Sequence, residues 1–464
     1  MAEKTAIVIG ASMAGLLAAR VLSDHFDRVV VVERDTLPDG PDIRGGVPQA
    51  RHVHALLVQG QHLLEEFFPG LSDELTESGA PRFTWCRDTC YFTPGGWIKR
   101  FDSKIQTNMI RRVELEHRIR QHVGTRPNVS FLTGRDVRGL VATDDKSRVT
   151  GIDVSVRGTQ DVEQHSADLV VDCSGRGSKA PEWLTALGYD APRETAVKSH
   201  VGYATRMYKK PADAPDWTVL FINARSAEGN PRGAAIFDVG HGEWMVSLGG
   251  LNKEYPPTDE EGFMAFARKL PSPTIAEAIA RAEPTSGIVG YRIEGSRLRH
   301  YDQLARRPEG FVAMGDAVCS FNPIYGQGIT VAALEARELD AVLRKHGTAD
   351  LTGFAGVFQK QIAKTLANAW VLATGEDLRF PGTEGDRPGF AARLIQRYVD
   401  QYARVSFNDE LLTLTFIKVL NLAAPPTTLF APHVFARVVA LTFRQWRGMP
   451  ISGQDGTLIP AVQG

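Results

Sequence analysis

The sequence predicts an α/β protein built from a discontinuous Rossmann-like nucleotide-binding domain, an inserted antiparallel β-sheet domain and a C-terminal helical region. Three observations predict it. A short apolar run near the N-terminus ends on glycine and passes through helical spacing into a second apolar run. Two further runs of the kind buried on both faces return much later in the chain. Between those returns lie aromatic, β-branched segments punctuated by turn residues.

In chain order, Thr5-Ala6-Ile7-Val8-Ile9 is the first strand, Gly10 the turn, and Leu16 to Leu22 continues as a helix. Arg28-Val29-Val30-Val31-Val32, ending at Glu33, is the second strand, which completes a βαβ unit. Ala167 to Asp172 and Gly310 to Met314 supply the returning strands, so the nucleotide-binding domain is predicted at 1–80, 105–190 and 290–375. Trp85 to Phe101 and His200 to Gly250 carry turn signals such as Pro94-Gly95-Gly96 and Asp238-Val239-Gly240-His241-Gly242, and place the inserted substrate-binding sheet at 81–104 and 191–289. From Ala332 onward the pattern is mainly helical, with Pro381-Gly382 and Pro425-Pro426 as punctuation, and 376–464 is read as the helical region. Its most apolar stretch, Leu411 to Ala424, is interrupted by Thr413, Thr415, Lys418 and Asn421 and reads as an amphipathic helix, short of the roughly 20 apolar residues of a membrane span.

Composition narrows the function. A chain of 464 residues with a formal charge of −1 can bury a sizeable core but offers no overall field for a nucleic acid backbone or an anionic bilayer. A small-molecule partner is expected, with no nucleic acid and no membrane span. The four cysteines, Cys86, Cys90, Cys173 and Cys319, show neither a C-x-x-C spacing nor clustered histidines, so no disulfide and no metal site is expected. Met1-Ala2-Glu3-Lys4 leads straight into a strand, without a signal-peptide pattern, and a cytoplasmic location is the expectation.

Gly10-Ala11-Ser12-Met13-Ala14-Gly15 has G-x-G-x-x-G spacing with serine at the middle glycine. Gly10 permits the tight turn, Ser12 is small enough for phosphates to approach the backbone, and Gly15 lets helix and strand pack closely. Helix-start amides at Met13 and Ala14 then face the pyrophosphate. Glu33, with Arg34 beside it, ends the second strand about 20 residues on, where a carboxylate accepts hydrogen bonds from the adenosine ribose and disfavours a 2′-phosphate. The nucleotide is therefore FAD or NAD rather than NADP.

Two later stretches resemble signature segments of the flavin monooxygenase superfamily of aromatic hydroxylases and squalene epoxidase: Ala167-Asp168-Leu169-Val170-Val171-Asp172-Cys173-Ser174-Gly175-Arg176-Gly177-Ser178, and Gly315-Asp316 followed by Pro323-Ile324-Tyr325-Gly326-Gln327-Gly328. Asp42-Ile43-Arg44-Gly45-Gly46-Val47-Pro48-Gln49-Ala50-Arg51-His52-Val53-His54, Val201 to Arg206 and Trp370 to Thr374 look like the polyether-antibiotic epoxidases of actinomycetes. The resemblance implies FAD as cofactor. It assigns Asp316 to the ribityl and pyrophosphate, Arg44 to the cofactor, and Arg112 to the pyrophosphate region, with Arg111 a near alternative. It also sets Pro323, Gly326, Gln327 and Gly328 beside the isoalloxazine. The helix opening at Gly328 and Ile329 would turn its positive end to the flavin edge that gains charge on reduction.

By the same resemblance, a C4a-hydroperoxyflavin formed with O2 gives one oxygen atom to an apolar substrate, first an alkene of a polyketide or terpenoid, alternatively a phenol ring. A dehydrogenase or oxidase that inserts no oxygen is the reading from another class, and a non-catalytic flavin-binding module is a further one. The superfamily's Asp-Gly motif is replaced by Ser174-Gly175, which leaves the electron source open between NAD(P)H and a partner flavin reductase. No Trp-x-Trp spacing occurs, which disfavours halogenation. His52 and His54 are given no acid or base role. Trp85, Tyr91, Phe92, Trp97 and Phe101 either line a pocket or fill the inserted sheet.

Overall fold

The computed structural model describes residues 3–93, 96–226 and 229–447; Pro94 and Gly95 of the Pro-Gly-Gly turn, and the chain beyond 447, lie outside them. The apolar run Thr5–Ile9 (β1) leads through Gly10 into the helix Met13–Leu22 (α1) and back along Arg28–Glu33 (β2). Both strands are almost wholly buried, as four consecutive valines in β2 require of a strand covered on two faces. The parallel sheet runs in the order Phe311–Ala313, Leu169–Asp172, β1, β2, Val129–Thr133. Three passes separated by long insertions therefore meet side by side, and the nucleotide-binding half is discontinuous.

The inserted region forms a second sheet with Val201–Lys209, Glu243–Gly250 and Arg232–Asp238 at its centre. It is mixed rather than antiparallel throughout: Val219–Ile222 pairs parallel with Thr89–Thr93. Those strands come from separate insertions, so no hairpin turn imposes opposite directions. Val289–Ile293 also pairs with Val201–Lys209, which carries the inserted sheet past 290 to Ile293. A three-stranded antiparallel sheet, Arg135–Ala142, Val149–Val156 and Val162–Ser166, sits within the nucleotide-binding half.

The helix Phe354–Asp377 crosses the expected domain limit at 375, and Phe390–Ser406, Glu410–Leu420 and Pro432–Trp446 follow. Glu410–Leu420 is the amphipathic stretch; it buries Leu412, Ile417 and Val419 against its own domain. Among the described residues no helix is long and apolar enough to cross a membrane. All four cysteines are buried and free.

Candidate active site

Gly10 follows β1 with φ +101°, a conformation side chains avoid, and a Cβ there would meet the Cys173 carbonyl oxygen at 2.6 Å. The turn thus lies directly on the chain leaving the Leu169–Asp172 strand. The third pass closes on the same point: a Cβ on Gly315 would lie 2.6 Å from the Ala14 side chain. Glycine spacing in the first pass and the Gly-Asp pair of the third are two sides of one contact.

Around this contact opens a cavity of about 670 Å³, within the usual range for a small-molecule site. Gly10, Ser12, Met13, Ala14, Glu33, Arg34, Arg44, Arg112 and Asp316 line it, together with Pro323, Gly326, Gln327, Gly328 and Ile329. Gly15 stands behind the wall, where it allows α1 to approach the turn.

The nucleotide end is an ionic cluster. Glu33 accepts from the Ala11 amide at 2.8 Å through Oε2 and from the Asp35 amide at 3.0 Å through Oε1, which keeps a second lone pair. Arg44 is more engaged than expected: its Nη1 lies 3.1 Å from both Glu33 and Asp35, while its Nε and Nη2 donate to Glu116 and its Nη2 also to the Ala11 carbonyl. All three nitrogens are held by the protein. Glu116 also accepts from Arg112 at 2.9 Å and from Ser12 at 3.1 Å. Burial alone would raise the Glu116 pKa, but Arg112 and Arg44 outweigh it and hold the carboxylate ionised. Arg111 instead pairs with Glu114 and is absent from the cavity wall, so Arg112 is the arginine that faces it. Arg34 is exposed, Met13 buried.

Asp316 lies deep in the fold yet exposes its carboxylate to the cavity. Among the described residues it receives no side-chain hydrogen bond; Arg112, Arg176 and Arg297 act on it through space, and burial still raises its pKa. Gln327, 3 % exposed, has an unpartnered Oε1 and precedes the uncapped first turn of the helix Gly328–His346. A glycine cradle, an unsatisfied carboxylate, an orphaned amide oxygen and a bare helix N-terminus in one cavity fit a large polar cofactor with an anionic centre.

The loop before that helix is bolted from behind. Asp377, wholly buried, accepts from Asn322 Nδ2 at 2.8 Å, the Tyr325 hydroxyl at 2.7 Å and Ser199 Oγ at 3.0 Å. Glu335, also wholly buried, accepts from the Gly315 amide at 2.5 Å, and burial lifts its pKa to about 8.

Beyond the loop the walls turn apolar. Trp85 and Tyr91 face the cavity, whereas Phe92, Trp97 and Phe101 fill the core of the inserted half. His52 faces the cavity with Nδ1 2.8 Å from Thr205 Oγ1. Burial, aided by Arg51, depresses its pKa to about 4; burial does the same to His54, aided by Arg112. Both rings are neutral at physiological pH.

Sequence reasoning passed over Glu116, Glu335, Asn322, Asp377 and Arg176, the last donating to the Gly295 carbonyl at 2.8 Å and Ser320 at 2.7 Å. Glu116 carried a signal, its i,i+4 spacing from Arg112. Asp377 carried none, since its partners lie 52 to 178 positions away.

A Rossmann-like sheet whose three passes meet at a glycine turn, with a substrate-sized cavity opening against a second sheet, defines a nucleotide-binding flavoprotein architecture. The chain belongs to the FAD binding domain family, which it matches over residues 3–352. It is 32 % identical over 457 residues to Protein Rv3254 of Mycobacterium tuberculosis, covering 95 % of this chain and 94 % of that one. Its fold is similar to the flavin-dependent brominase Bmp2 (TM-score 0.64, 14 % identity, 95 % of this chain and 99 % of that one). It is also similar to the p-nitrophenol 4-monooxygenase PnpA of Pseudomonas putida (TM-score 0.61, 18 % identity, 90 % of this chain and 99 % of that one).

Proposed function

We propose that this protein is an FAD-dependent monooxygenase that transfers one oxygen atom from O2 to an apolar organic substrate, with an alkene of polyketide or terpenoid type as the first substrate class. The observation that carries the reading is continuity: one cavity runs from the phosphate-facing turn at Gly10, past Asp316 and the loop Pro323 to Gly328, to aromatic walls contributed by the inserted sheet. Bound there, FAD would supply the redox chemistry and the activation of dioxygen. The likeness to PnpA, named as a monooxygenase, supports the same class.

The chain's own residues hold and orient. The amides of α1, with Arg112, would receive the pyrophosphate, Glu33 the ribose and Asp316 the ribityl hydroxyls. Arg44 keeps Glu33 and Glu116 in place rather than donating outward. The amides of Gly328 and Ile329 open the helix at the cavity wall, where they would stabilise negative charge on a bound flavin. Apolar walls exclude water. Reducing equivalents come from NAD(P)H or from a partner flavin reductase.

Hydroxylation of a phenol is the second reading, favoured by one observation: Glu376 places a carboxyl, whose pKa burial raises, on the cavity wall, where it would accept a phenol proton. Incubation of the FAD-loaded protein with reductant and 18O2 tests both. Label at a former double bond supports the first reading and label on a ring the second; an oxidised product without label overturns oxygen transfer.

A further inference from the structure

The helix Phe354–Asp377 ends on two carboxylates facing opposite ways. Asp377 points inward and spends itself on Asn322, Tyr325 and Ser199. Glu376 lies on the cavity wall and forms an ion pair at 3.3 Å with Arg379, just past the end of the helix. Because its neighbour fastens the loop Asn322 to Tyr325, Glu376 is held at a fixed place beside that loop.

Tyr91 and Asn223 line the same cavity. The Tyr91 side chain is buried, and its hydroxyl oxygen accepts from Asn223 Nδ2 at 2.6 Å. Among the described residues no acceptor takes the Tyr91 hydroxyl proton. Burial is the main cause that lifts the Tyr91 pKa to about 12, and the charge of Glu376 adds to it, so the two groups share one electrostatic neighbourhood. Tyr91 therefore remains a neutral O–H donor. Around the pair the wall is apolar: Trp85, Phe221, Phe237 and Phe380.

A carbonyl uses only donors and an ammonium only acceptors, whereas a hydroxyl uses one of each. From this juxtaposition we propose that Tyr91 and Glu376 form a subsite that binds a hydroxyl group on an otherwise apolar substrate, Tyr91 donating to its oxygen and Glu376 accepting its proton in a hydrogen bond. Asn223 fixes the Tyr91 hydroxyl so that its proton points away from the amide. The cost of burying a hydroxyl unpaired then makes the subsite selective, since a methyl ether offers Glu376 no proton in addition to its ion pair with Arg379. This rests on the monooxygenase reading for the word substrate, but the binding it describes is independent of turnover.

The test is calorimetric titration of the FAD-loaded protein with 1-naphthol and with 1-methoxynaphthalene. The native chain is expected to bind the naphthol about tenfold more tightly. Tyr91→Phe and Glu376→Leu should each reduce that ratio to about twofold or less, while Glu376→Gln, which keeps an acceptor oxygen, restores part of it. Unchanged visible flavin bands show that each variant is folded, and Tyr91→Phe, which removes a single oxygen, stands if Glu376→Leu does not fold. Equal affinities for the two probes, no binding of the naphthol, or a ratio that survives both Tyr91→Phe and Glu376→Leu overturns the subsite. Failure of 18O2 to enter any product would overturn the monooxygenase reading and leave the naphthol ratio unaffected.

Discussion

Gly15 and Gly10 are in contact across the first turn of α1: a Cβ on Gly15 would fall 1.8 Å from the Gly10 carbonyl oxygen. Even one methyl group must therefore drive the helix off the turn that carries its amides. Gly15→Ala should lower FAD affinity by about a hundredfold or more, roughly 2.7 kcal/mol. Flavin retained per chain through gel filtration measures it. A folded variant that keeps native affinity would show that the contact has no bearing on the cofactor.

Asp316 presents a different case, because its carboxylate feels Arg112, Arg176 and Arg297 through space and, among the described residues, receives no side-chain hydrogen bond. Asp316→Ala removes a charge that faces the cavity and is hydrogen-bonded to no side chain among the described residues, so apoprotein stability should hold or rise. FAD affinity should fall by about ten- to a hundredfold, the loss of a charge-assisted hydrogen bond of roughly 1.5 to 3 kcal/mol. A lower melting temperature with unchanged affinity would reverse the assignment.

For Glu335 the readout is pH. Its carboxyl titrates at about 8 in the folded chain against an ordinary value of 4.5, with burial the main cause. Between those values the folded chain keeps a proton that the unfolded chain releases, so stability falls as pH rises through the window. Glu335→Gln retains an acceptor for the Gly315 amide and carries no charge. Its melting temperature relative to the native chain should be lowest near pH 4.5 and climb toward pH 8.5. A difference that is flat with pH refutes the raised pKa.

Asp377→Ala leaves the side chains of Asn322, Tyr325 and Ser199 without their shared acceptor, each unsatisfied buried group costing about 1 to 3 kcal/mol. The expected outcome is a fall of several degrees in melting temperature, together with faster proteolysis near residues 322–328. Asp377→Asn, which keeps one acceptor oxygen, should be milder. If both variants melt with the native chain, the loop is held by something else.

What the sequence disclosed followed the range of the interactions. The β1–α1–β2 unit was legible because a tight turn, a close helix and a carboxylate all act within about one βαβ unit and demand particular residue types at fixed spacing. Asp316 and the Pro323 to Gly328 loop were legible through resemblance, and the structure brings them to the same cavity. Asp377, Glu335 and Glu376 were not, since a lone acid on a helix looks like any solvated one until the strands beneath it are in place. The parallel pairing of Val219–Ile222 with Thr89–Thr93 was hidden for a similar reason: no turn joins them. Val162–Ser166 escaped notice because it is mostly exposed and shows no apolar alternation.

The family match stops at residue 352, and the helix that carries Glu376 and Asp377 begins at Phe354. Asp377, which braces the loop Asn322 to Tyr325 from behind, therefore lies outside the stretch that the family describes, although the loop itself lies within it. Cutting the chain at residue 352 would remove that brace and also strip the nucleotide-binding half of the packing that Phe354, Phe358 and Ile362 supply.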